Sequence, residues 1–322
     1  MNNTSPRSLN GNRRRLVIAS VSILAVLFGI SVATPELRSR KGIIADWKRR
    51  GIDVMALGDS PAWLRKASPY FADLYERHYP ELHSLYEGDG TLSNEDLSNL
   101  RYFSEIQSVL WSDSLISEEG LSFLRGMRIK SVGFWDMPIS DLGIRYLSEI
   151  ANMESLSICG SEITSQGFSE SSRMPKLKDL SLRRNRFQGN EILDLQGVNQ
   201  ITTLSLYEND LTDEAIKGLS VLTNLTELEL KEPELTTVGL SAVVALPALQ
   251  KLRLIDMQID DMGLAQFRSM KQLKEFRLEG TKVTFKGVEA FRKSRPDCRV
   301  YASKFELPGG CLVIEGHELT EE

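Results

Sequence analysis

The sequence predicts an α/β solenoid, and three observations lead to this fold class. A pattern of apolar residues repeats at intervals of 23 or 24 residues from Val109 onwards, and a period in this range is typical of stacked repeats. Each copy contains two apolar residues separated by one variable residue, which is the spacing of a strand with one buried face. Most copies also carry a glycine four residues after an aliphatic position. The copies begin at Val109, Val132, Leu156, Leu180, Leu204, Leu228, Leu252 and Phe276, after a weaker copy at Leu85.

The second half of each repeat has the composition of a short helix. A column of mostly Ser and Thr residues follows the aliphatic position, and such residues cap helix N-termini. Acidic residues come next in several copies, where the helix dipole favours them, and apolar pairs three residues apart follow. Each unit is therefore predicted to be a strand, a turn, a short helix and a return. The capping column contains Ser117, Ser140, Thr164, Thr212, Thr236, Asp260 and Thr284.

A column of glycines lies near the start of these helices, although glycine costs a helix about 1 kcal/mol relative to alanine. We therefore predict that a neighbouring repeat or loop approaches too closely there for a side chain. The column contains Gly120, Gly143, Gly167, Gly239, Gly263 and Gly287.

The repeat resembles that of leucine-rich-repeat proteins, in the bacterial variant written LxxLxLxxTxITDxGLxxL. Leu249–Gly263 and Leu273–Gly287 match this pattern closely, and the repeats cover about two-thirds of the chain. The resemblance implies a right-handed solenoid with a parallel β-sheet on its concave face and short helices on its convex face. It implies no particular activity, because this scaffold hosts many unrelated binding roles.

The ends of the chain differ from the repeats, which need capped ends because no single repeat is stable alone. On the N-terminal side, Ser60-Pro61 and Ser68-Pro69 have the composition of helix starts. The predicted segments are a basic tail at 1–15, an apolar transmembrane helix or signal anchor at 16–33, a juxtamembrane segment and helical cap at 34–80, the repeats at 81–302, and a C-terminal cap and tail at 303–322.

Residues 16–33 form an apolar run without a charged residue, directly after three arginines that end at Arg15. A transmembrane helix needs about 17–25 such residues, and the run exceeds the core of roughly 7–15 residues that signal peptides carry. We therefore predict an uncleaved anchor. A signal peptide that is cleaved near Ala33 is the alternative.

The orientation of this anchor is open. Four Lys and Arg residues precede the span and six follow it closely, which mildly opposes export of the C-terminal part. A single anchor before a large domain usually acts as a signal anchor, however. We predict that the repeats lie on the exported side, at the cell envelope.

The charge of the chain is divided between two regions. Residues 1–50 carry ten Lys and Arg against Glu36 and Asp46, which suits anionic lipid headgroups. Of the chain's 39 basic and 44 acidic residues, 29 and 42 then remain in 51–322. This acidic remainder argues against nucleic acid as a partner.

The three cysteines leave two questions. Cys159 lies at a strand position that points outward, which predicts a partly exposed thiol. Cys298 and Cys311 flank the C-terminal cap. In an exported protein they could form a disulfide, or both could remain free thiols, and the sequence does not decide between these possibilities.

The sequence contains no recognisable catalytic motif. GxSxG, HExxH, GxGxxG, P-loop and CxxC patterns are all missing. His78 and His83 could bind a metal with Glu76 or Glu81, but their loose spacing in a tyrosine-rich segment is better explained by packing of an amphipathic cap. We predict that the protein is not an enzyme and needs no metal or cofactor.

Function is therefore assigned to the strand side chains that the core does not use. Trp, Arg and Tyr are enriched at interface hot spots. Trp135, Arg183 and Tyr207 occupy the same position in three of four successive repeats, with small residues and a predicted hollow beside Trp135. The alternative is that Trp135 covers an edge of the core and that the charges further along are cross-strand pairs on a wet surface. The candidate partner-binding residues are Trp135, Cys159, Arg183, Tyr207, Lys231, Lys251 and Arg253.

Two functional classes fit this reasoning. The first is a membrane-anchored module that binds a protein or peptide through its concave face, and Ile44–Leu64 resembles the segment before the repeats in membrane-anchored bacterial members of the family. The second is an intracellular adaptor, because the DxGLxxL cadence is also similar to repeats in F-box substrate-recognition subunits of ubiquitin ligases. Residues 34–80 show no F-box-like helical domain, so the first class is preferred. The oligomeric state is not indicated.

Overall fold

A computed structural model gives the fold of the greater part of the chain. It describes residues 35–57, 81–87, 90–103, 106–112, 115–164, 167–168, 174–185, 187, 194–307, 310–315 and 318–319. The basic tail and the apolar span predicted within 1–33 lie outside these residues, as do the helices predicted after Ser60 and Ser68. No helix within the described part is long and apolar enough to cross a membrane.

Within the described residues, the strands form one sheet of 13 strands that follow one another in chain order. They are β1 (Asp53–Leu57), β2 (Glu81–Glu87), β3 (Ile106–Ser112), β4 (Ile129–Trp135), β5 (Ser155–Cys159), β6 (Asp179–Arg183), β7 (Thr203–Tyr207), β8 (Glu227–Lys231), β9 (Lys251–Ile255), β10 (Glu275–Glu279), β11 (Arg299–Leu307), β12 (Gly310–Glu315) and β13 (Glu318–Leu319). Strands β2 to β11 pair parallel, while β1, β12 and β13 pair antiparallel at the two edges.

Equivalent residues of consecutive repeats lie side by side in this sheet. Leu180 pairs with Leu204, and Leu204 pairs with Leu228, across adjacent parallel strands. Each 24-residue repeat therefore adds one strand. Buried residues alternate with partly exposed ones along β7, where Leu204 and Leu206 point into the core. The leucine-rich-repeat-like solenoid and the inward position of the leucine column are confirmed.

Short helices connect the strands and bury one side against the same core. A 3₁₀ helix rises about 2.0 Å per residue rather than 1.5 Å, so it spans the return with fewer residues than an α-helix. The α-helices are α1 (Pro35–Arg49), α2 (Asn94–Asn99), α3 (Asp141–Leu147), α4 (Leu240–Val244), α5 (Asp261–Gln266) and α6 (Phe285–Ser294), and the 3₁₀ helices are Leu100–Tyr102, Glu118–Leu124, Gln196–Val198, Ala215–Val221 and Phe267–Ser269.

Part of the predicted capping column is confirmed, because Ser140, Asp260 and Thr284 cap their helices with their side chains. Ser117 is at an N-cap position but makes no such hydrogen bond. The Ser140 hydroxyl accepts a hydrogen bond from the Leu142 amide, 3.2 Å away. The Thr284 hydroxyl accepts one from the Gly287 amide at the same distance. These bonds satisfy amides that have no partner within the first turn of a helix.

The acidic residue after a cap also bonds the cap of the next repeat, which the sequence analysis missed. The Asp261 carboxylate accepts hydrogen bonds from the amide and the hydroxyl of Thr284, at 2.7 and 2.6 Å. Asp141 accepts the same two bonds from Thr164, at 2.9 and 2.6 Å. One side chain therefore connects two consecutive repeats.

The glycine column makes room for these carboxylates. A Cβ placed on Gly287 would collide with the carboxylate of Asp261, and one on Gly239 would collide with that of Asp213. The close approach predicted from the glycines is confirmed at these positions, and the approaching group is the carboxylate of the preceding repeat.

Helix α1 and strand β1 cover the N-terminal end of the solenoid. Trp47 is buried, stacks on Phe103 with ring centroids 6.0 Å apart and donates a hydrogen bond from Nε1 to Asp96 at 2.9 Å. Arg50 forms an ion pair with the same carboxylate. Burial acts to raise the pKa of Asp96, but the hydrogen bonds from Arg50 and Trp47 outweigh it, so the net pKa lies below its ordinary value.

The C-terminal end is closed by an ion pair and by added strands. Asp297, which replaces an apolar residue of the repeat, pairs with Arg295 at 2.8 Å. Arg295 is 1% exposed and donates a further hydrogen bond to the Leu273 carbonyl oxygen at 2.8 Å. Strand β11 runs through the boundary predicted at residue 303, and β12 and β13 lengthen the sheet.

The fold also separates the C-terminal cysteines. Cys298 is a buried free thiol just before β11, whereas Cys311 lies opposite Glu306 in the β11–β12 pair. Eight strand residues correspond to roughly 26 Å, while the Cα atoms of a disulfide lie within about 7 Å. Of the two possibilities left open by the sequence, a disulfide and two separate cysteines, the fold therefore supports the second. Burial raises the pKa of Cys298 to about 11, which keeps its thiol protonated and unreactive.

Candidate functional site

The strand side chains that point away from the core form three rows across the sheet, here called the open sheet face. Adjacent strands are about 4.8 Å apart, so successive members of a row are neighbours. The first row contains Ser131, Ser155, Asp179, Thr203, Glu227, Lys251 and Glu275, the second contains Gly133, Ser157, Ser181, Ser205, Glu229, Arg253 and Arg277, and the third contains Trp135, Cys159, Arg183, Tyr207 and Lys231, continued by Ile255 and Glu279.

Trp135 is the exposed large apolar side chain of this face, with 46% of its surface accessible. The hollow predicted beside its ring is partly filled. A methyl carbon of Leu110 lies 2.5 Å from the place that a Cβ on Gly133 would take, so the missing side chain of Gly133 is replaced by that of Leu110. The indole ring is therefore an exposed contact surface rather than the wall of a cavity.

The exposure predicted for Cys159 is wrong, because this residue is only 4% exposed. Arg184 lies in the turn after β6 with a left-handed φ of 50°, and its side chain covers the thiol. Its Nη2 is 3.1 Å from Sγ of Cys159 and 3.0 Å from Oδ1 of Asp136. An outward strand position thus does not expose the thiol, and Cys159 is closed to a partner in this conformation.

Arg183 and Tyr207 form a cation–π pair in the middle of the third row. The guanidinium carbon of Arg183 lies 5.3 Å from the ring centroid of Tyr207. The Tyr207 hydroxyl donates a hydrogen bond to Glu229 at 2.7 Å. Burial and this hydrogen bond raise the pKa of Tyr207 to about 12, so the phenol stays protonated at physiological pH.

The two candidate lysines are engaged by carboxylates of the protein itself. Lys231 pairs with Glu208 at 2.8 Å and with Asp256 at 3.3 Å, and both carboxylates belong to turns that follow strands. Lys251 pairs with Glu227 of the preceding strand at 2.6 Å. Such exposed pairs contribute little to stability, but they satisfy the charges that a partner would otherwise use.

Arg253 belongs to a larger network in the second and third rows. Its Nε and Nη2 donate to the two carboxylate oxygens of Glu279, each at 3.0 Å, and its Nη1 lies 3.4 Å from Glu229. Glu229 in turn accepts the hydrogen bond from Tyr207. The hydrogen bonds to Glu279 raise the pKa of Arg253 further above its ordinary value, so this cation is held by the sheet.

The open sheet face therefore has two chemically different halves. Strands β4 to β7 carry mainly small hydroxyl side chains around Trp135, Arg183 and Tyr207, whereas β8 to β10 carry acidic and basic side chains that neutralise one another. The candidate residues divide in the same way. Trp135, Cys159, Arg183 and Tyr207 lie in one row of the half with few charges. Lys231, Lys251 and Arg253 lie in the charged half, where Lys251 and Arg253 pair across strands as the alternative predicted.

Polar residues in the turns behind this face escaped the sequence analysis. Asn185 and Asn209 are buried, and the Asn209 side chain donates to the Leu182 carbonyl oxygen at 2.9 Å. An asparagine three residues after the second strand leucine in two consecutive repeats was the available signal. These side chains bond the backbone of neighbouring repeats and hold the turns below the site in place.

Glu232 ends this series of buried turn residues, and its exposed fraction is 0%. Its carboxylate accepts hydrogen bonds from the backbone amide and side-chain amide of Asn209, at 3.0 and 2.9 Å, and from the Leu211 amide at 3.3 Å. Burial raises the pKa of Glu232 against the effect of these hydrogen bonds. All of its partners are donors within the fold, so Glu232 has a structural role.

The chemistry available on this face is that of contact and pairing. In the part of the chain that the structure describes, no group of three His, Cys, Asp or Glu side chains is placed to hold a metal ion. The side chains of His78 and His83, the candidate metal pair of the sequence, lie outside that part. The groups that remain available for contact with a partner are the Trp135 ring, the Arg183 guanidinium and the hydroxyl groups of the neighbouring serines.

No protein-family model matches the chain, and no curated protein matches its sequence. Among solved structures, it is similar to internalin C2 of Listeria monocytogenes at 19% identity, with a TM-score of 0.38 over 60% of this chain and 77% of that chain. Internalin F of the same organism is 16% identical, with a TM-score of 0.38 over 66% and 70% of the two chains. The TLR13 chain in the TLR13–ssRNA13 complex is 15% identical, with a TM-score of 0.39 over 64% of this chain and 38% of that chain. The repeat architecture rests on the strand register described above, and these similarities add no argument about function.

Proposed function

We propose that the chain is an interaction module that binds a protein or peptide through the part of the open sheet face around Trp135, Arg183 and Tyr207. The observation that carries this proposal is that 46% of the surface of Trp135 is exposed. Arg183 stands in the same row, two strands away. Tryptophan, tyrosine and arginine are the residues on which protein interfaces most often depend.

The rigidity of the surface supports this site. Trp135, Arg183 and Tyr207 stand on strands that are paired in register, so little ordering is needed when a partner binds. The charged half contributes less, because Lys231 or Arg253 would have to leave an internal carboxylate before pairing with a partner.

Affinity capture with matched variants tests the proposal. Full-length chain carrying Trp135→Ala and Arg183→Ala is expected to lose the partners that the unmodified chain captures, with unfolding free energy changed by about 0.5 kcal/mol or less per exposed site. The control carries Met262→Ala, 78% exposed, and Arg268→Ala in the helical connections, and should capture the same partners. Retention of every partner by the first variant would refute the site.

We also propose that residues 16–33 anchor the chain in a membrane, with the repeats on the exported side. The apolar run and the arginines before it support the anchor. Helix α1 begins at Pro35 and is held to the first repeats by Trp47, so the solenoid would lie close to the bilayer surface.

Reporter fusions after residue 322 test this topology. Alkaline phosphatase fused there is expected to be active, and a fluorescent protein that matures only in the cytoplasm is expected to stay dark. The opposite pair of results would place the repeats inside the cell and support the intracellular adaptor. Deletion of residues 16–33 should release the chain from the membrane fraction, and its retention there would contradict the anchor.

A further inference from the structure

Arg183 differs from the other cations at outward positions of β4 to β11. Arg183 forms no ion pair with any residue that the structure describes, and its guanidinium lies over the Tyr207 ring. Five other described cations in line with the outward rows each have a carboxylate partner, namely Lys231, Lys251, Arg253, Arg277 and Arg299. The pKa of the nearby Glu208 is lowered mainly by its hydrogen bond from Lys231 and also by the charge of Arg183, so this carboxylate is shared while Lys231 holds it. Arg183 therefore keeps donors that a ligand can use.

We propose that the partner supplies this missing carboxylate. The ligand is a peptide segment whose Asp or Glu side chain pairs with Arg183, and an apolar side chain of the same segment packs on Trp135. Two strand spacings separate these residues, which is about 10 Å, so the acidic and apolar groups lie within about three residues of each other in an extended segment. This inference rests on the proposed function.

The surroundings of Arg183 prepare it for a carboxylate. The Tyr207 hydroxyl is bonded to Glu229, so the ring that carries the guanidinium is held in place. A ring face compensates only a small part of the charge of an exposed guanidinium. The planar donors of arginine also match a carboxylate through two parallel hydrogen bonds, which favours Asp and Glu over uncharged polar side chains.

The same surroundings disfavour a polyanion. Binding to a phosphate backbone relies on several cations that release counterions, whereas the neighbouring cations of this face already pair with protein carboxylates. Asp179 is exposed on the same side of β6 but lies four residues before Arg183, at about 13 Å along the strand. A site with one cation that has no ion-pair partner therefore fits a single carboxylate.

A random peptide library displayed on phage and selected on the full-length chain tests this chemistry. The unmodified chain is expected to select peptides with Asp or Glu within about three residues of an apolar residue. The Arg183→Glu variant should select Lys or Arg in the acidic position. A synthetic copy of a selected peptide should bind Arg183→Gln at least about tenfold more weakly, because a charge-assisted hydrogen bond is lost.

Matched variants separate the failure of this inference from that of the proposed function. Arg277→Gln removes a cation of the same face that already pairs with Glu275, and it should bind the peptide as the unmodified chain does. Binding that Trp135→Ala abolishes and Arg183→Gln leaves unchanged would overturn the inference and leave the proposed function standing. Selection of no peptide, or binding that neither variant affects, would overturn both. If a single-stranded RNA probe binds and this binding requires Arg183, the inference of an acidic peptide would be wrong and the ligand would be a nucleic acid.

Discussion

Single side chains join consecutive repeats of this solenoid. The Asp261 carboxylate belongs to one repeat and accepts two hydrogen bonds from Thr284 of the next. Gly287 has no side chain, which leaves the space that this carboxylate occupies. Asp261, Thr284 and Gly287 look independent in the sequence but form one contact between two repeats. The effects of substitutions at these three positions on stability are therefore coupled.

Replacing Gly287 by alanine is expected to lower the free energy of unfolding by about 1–3 kcal/mol, because the added methyl displaces Asp261 from Thr284. Gly42→Ala is the matched control, since no atom lies within 4 Å of the added methyl at this exposed position of α1. Alanine there should raise the free energy of unfolding by about 0.5–1 kcal/mol. Chemical denaturation measures both free energies of unfolding. A loss of stability of the same size at the two glycines would contradict the proposed contact between Gly287, Asp261 and Thr284.

Glu232 is a second residue whose removal leaves buried groups without partners. Glu232→Ala is expected to cost about 2–4 kcal/mol, because the amides of Asn209 and Leu211 lose their acceptor. Glu232→Gln keeps one acceptor oxygen and should cost less. Denaturation curves of the two variants measure the difference, and equal stability of Glu232→Ala and the unmodified chain would show that these hydrogen bonds carry no net energy.

At the scale of elements, α1 is held to the first repeat by a charge centre. Trp47 and Arg50 both donate to Asp96, which lies in the helix of the following segment. The lowered pKa of Asp96 means that the folded state favours its ionised form. The stabilisation is therefore present above the unfolded pKa, which is about 3.9, and it is lost as the pH falls through the lower folded value.

This linkage predicts how Asp96→Asn responds to pH. The unmodified chain should be more stable than the variant near neutral pH, and the difference should stay constant down to about pH 5. Below about pH 4 the difference should shrink, because Asp96 becomes protonated while asparagine does not titrate. Urea denaturation over this pH range measures this difference in the free energy of unfolding. A difference that grows on acidification would show that folding raises the pKa of Asp96 instead of lowering it.

At the scale of the whole molecule, stability depends on contacts between neighbouring repeats. Leu206 is 0% exposed in β7, so Leu206→Asp places a charge in the core and should cost more than about 3 kcal/mol. Hydrogen exchange should show the loss of protection first in β6 to β8, with β10 and α6 less affected. Ser181→Asp, which points outward from β6, is the control and should change little. Full amide protection in the Leu206 variant would contradict the inward position of its side chain.

The repeat architecture could be read from the sequence because it depends on periodic spacing. Leu180, Leu204 and Leu228 recur every 24 residues, and only one strand register buries all of them. The caps were predictable for a similar reason, since the hydroxyl of Thr284 bonds an amide three residues away. Both features are decided by residues that are close in the chain or equivalent in the repeat.

The state of each side chain on the open sheet face could not be read in this way. Cys159 is buried because Arg184 turns back over it from another strand end, and Lys231 is neutralised by Glu208 and Asp256 from two different turns. The partner-binding role of Trp135 and Arg183 stays a prediction of the sequence, supported by the exposed position of Trp135.

The sequence by itself determined the solenoid, its inward leucines and the row on which Trp135, Arg183 and Tyr207 stand, because alternation along a strand and a constant repeat length are local properties. The tertiary structure alone decided which charges of that row remain open to a partner. Ion pairing depends on distances between side chains of different repeats and turns, and these distances exist only after the repeats have stacked.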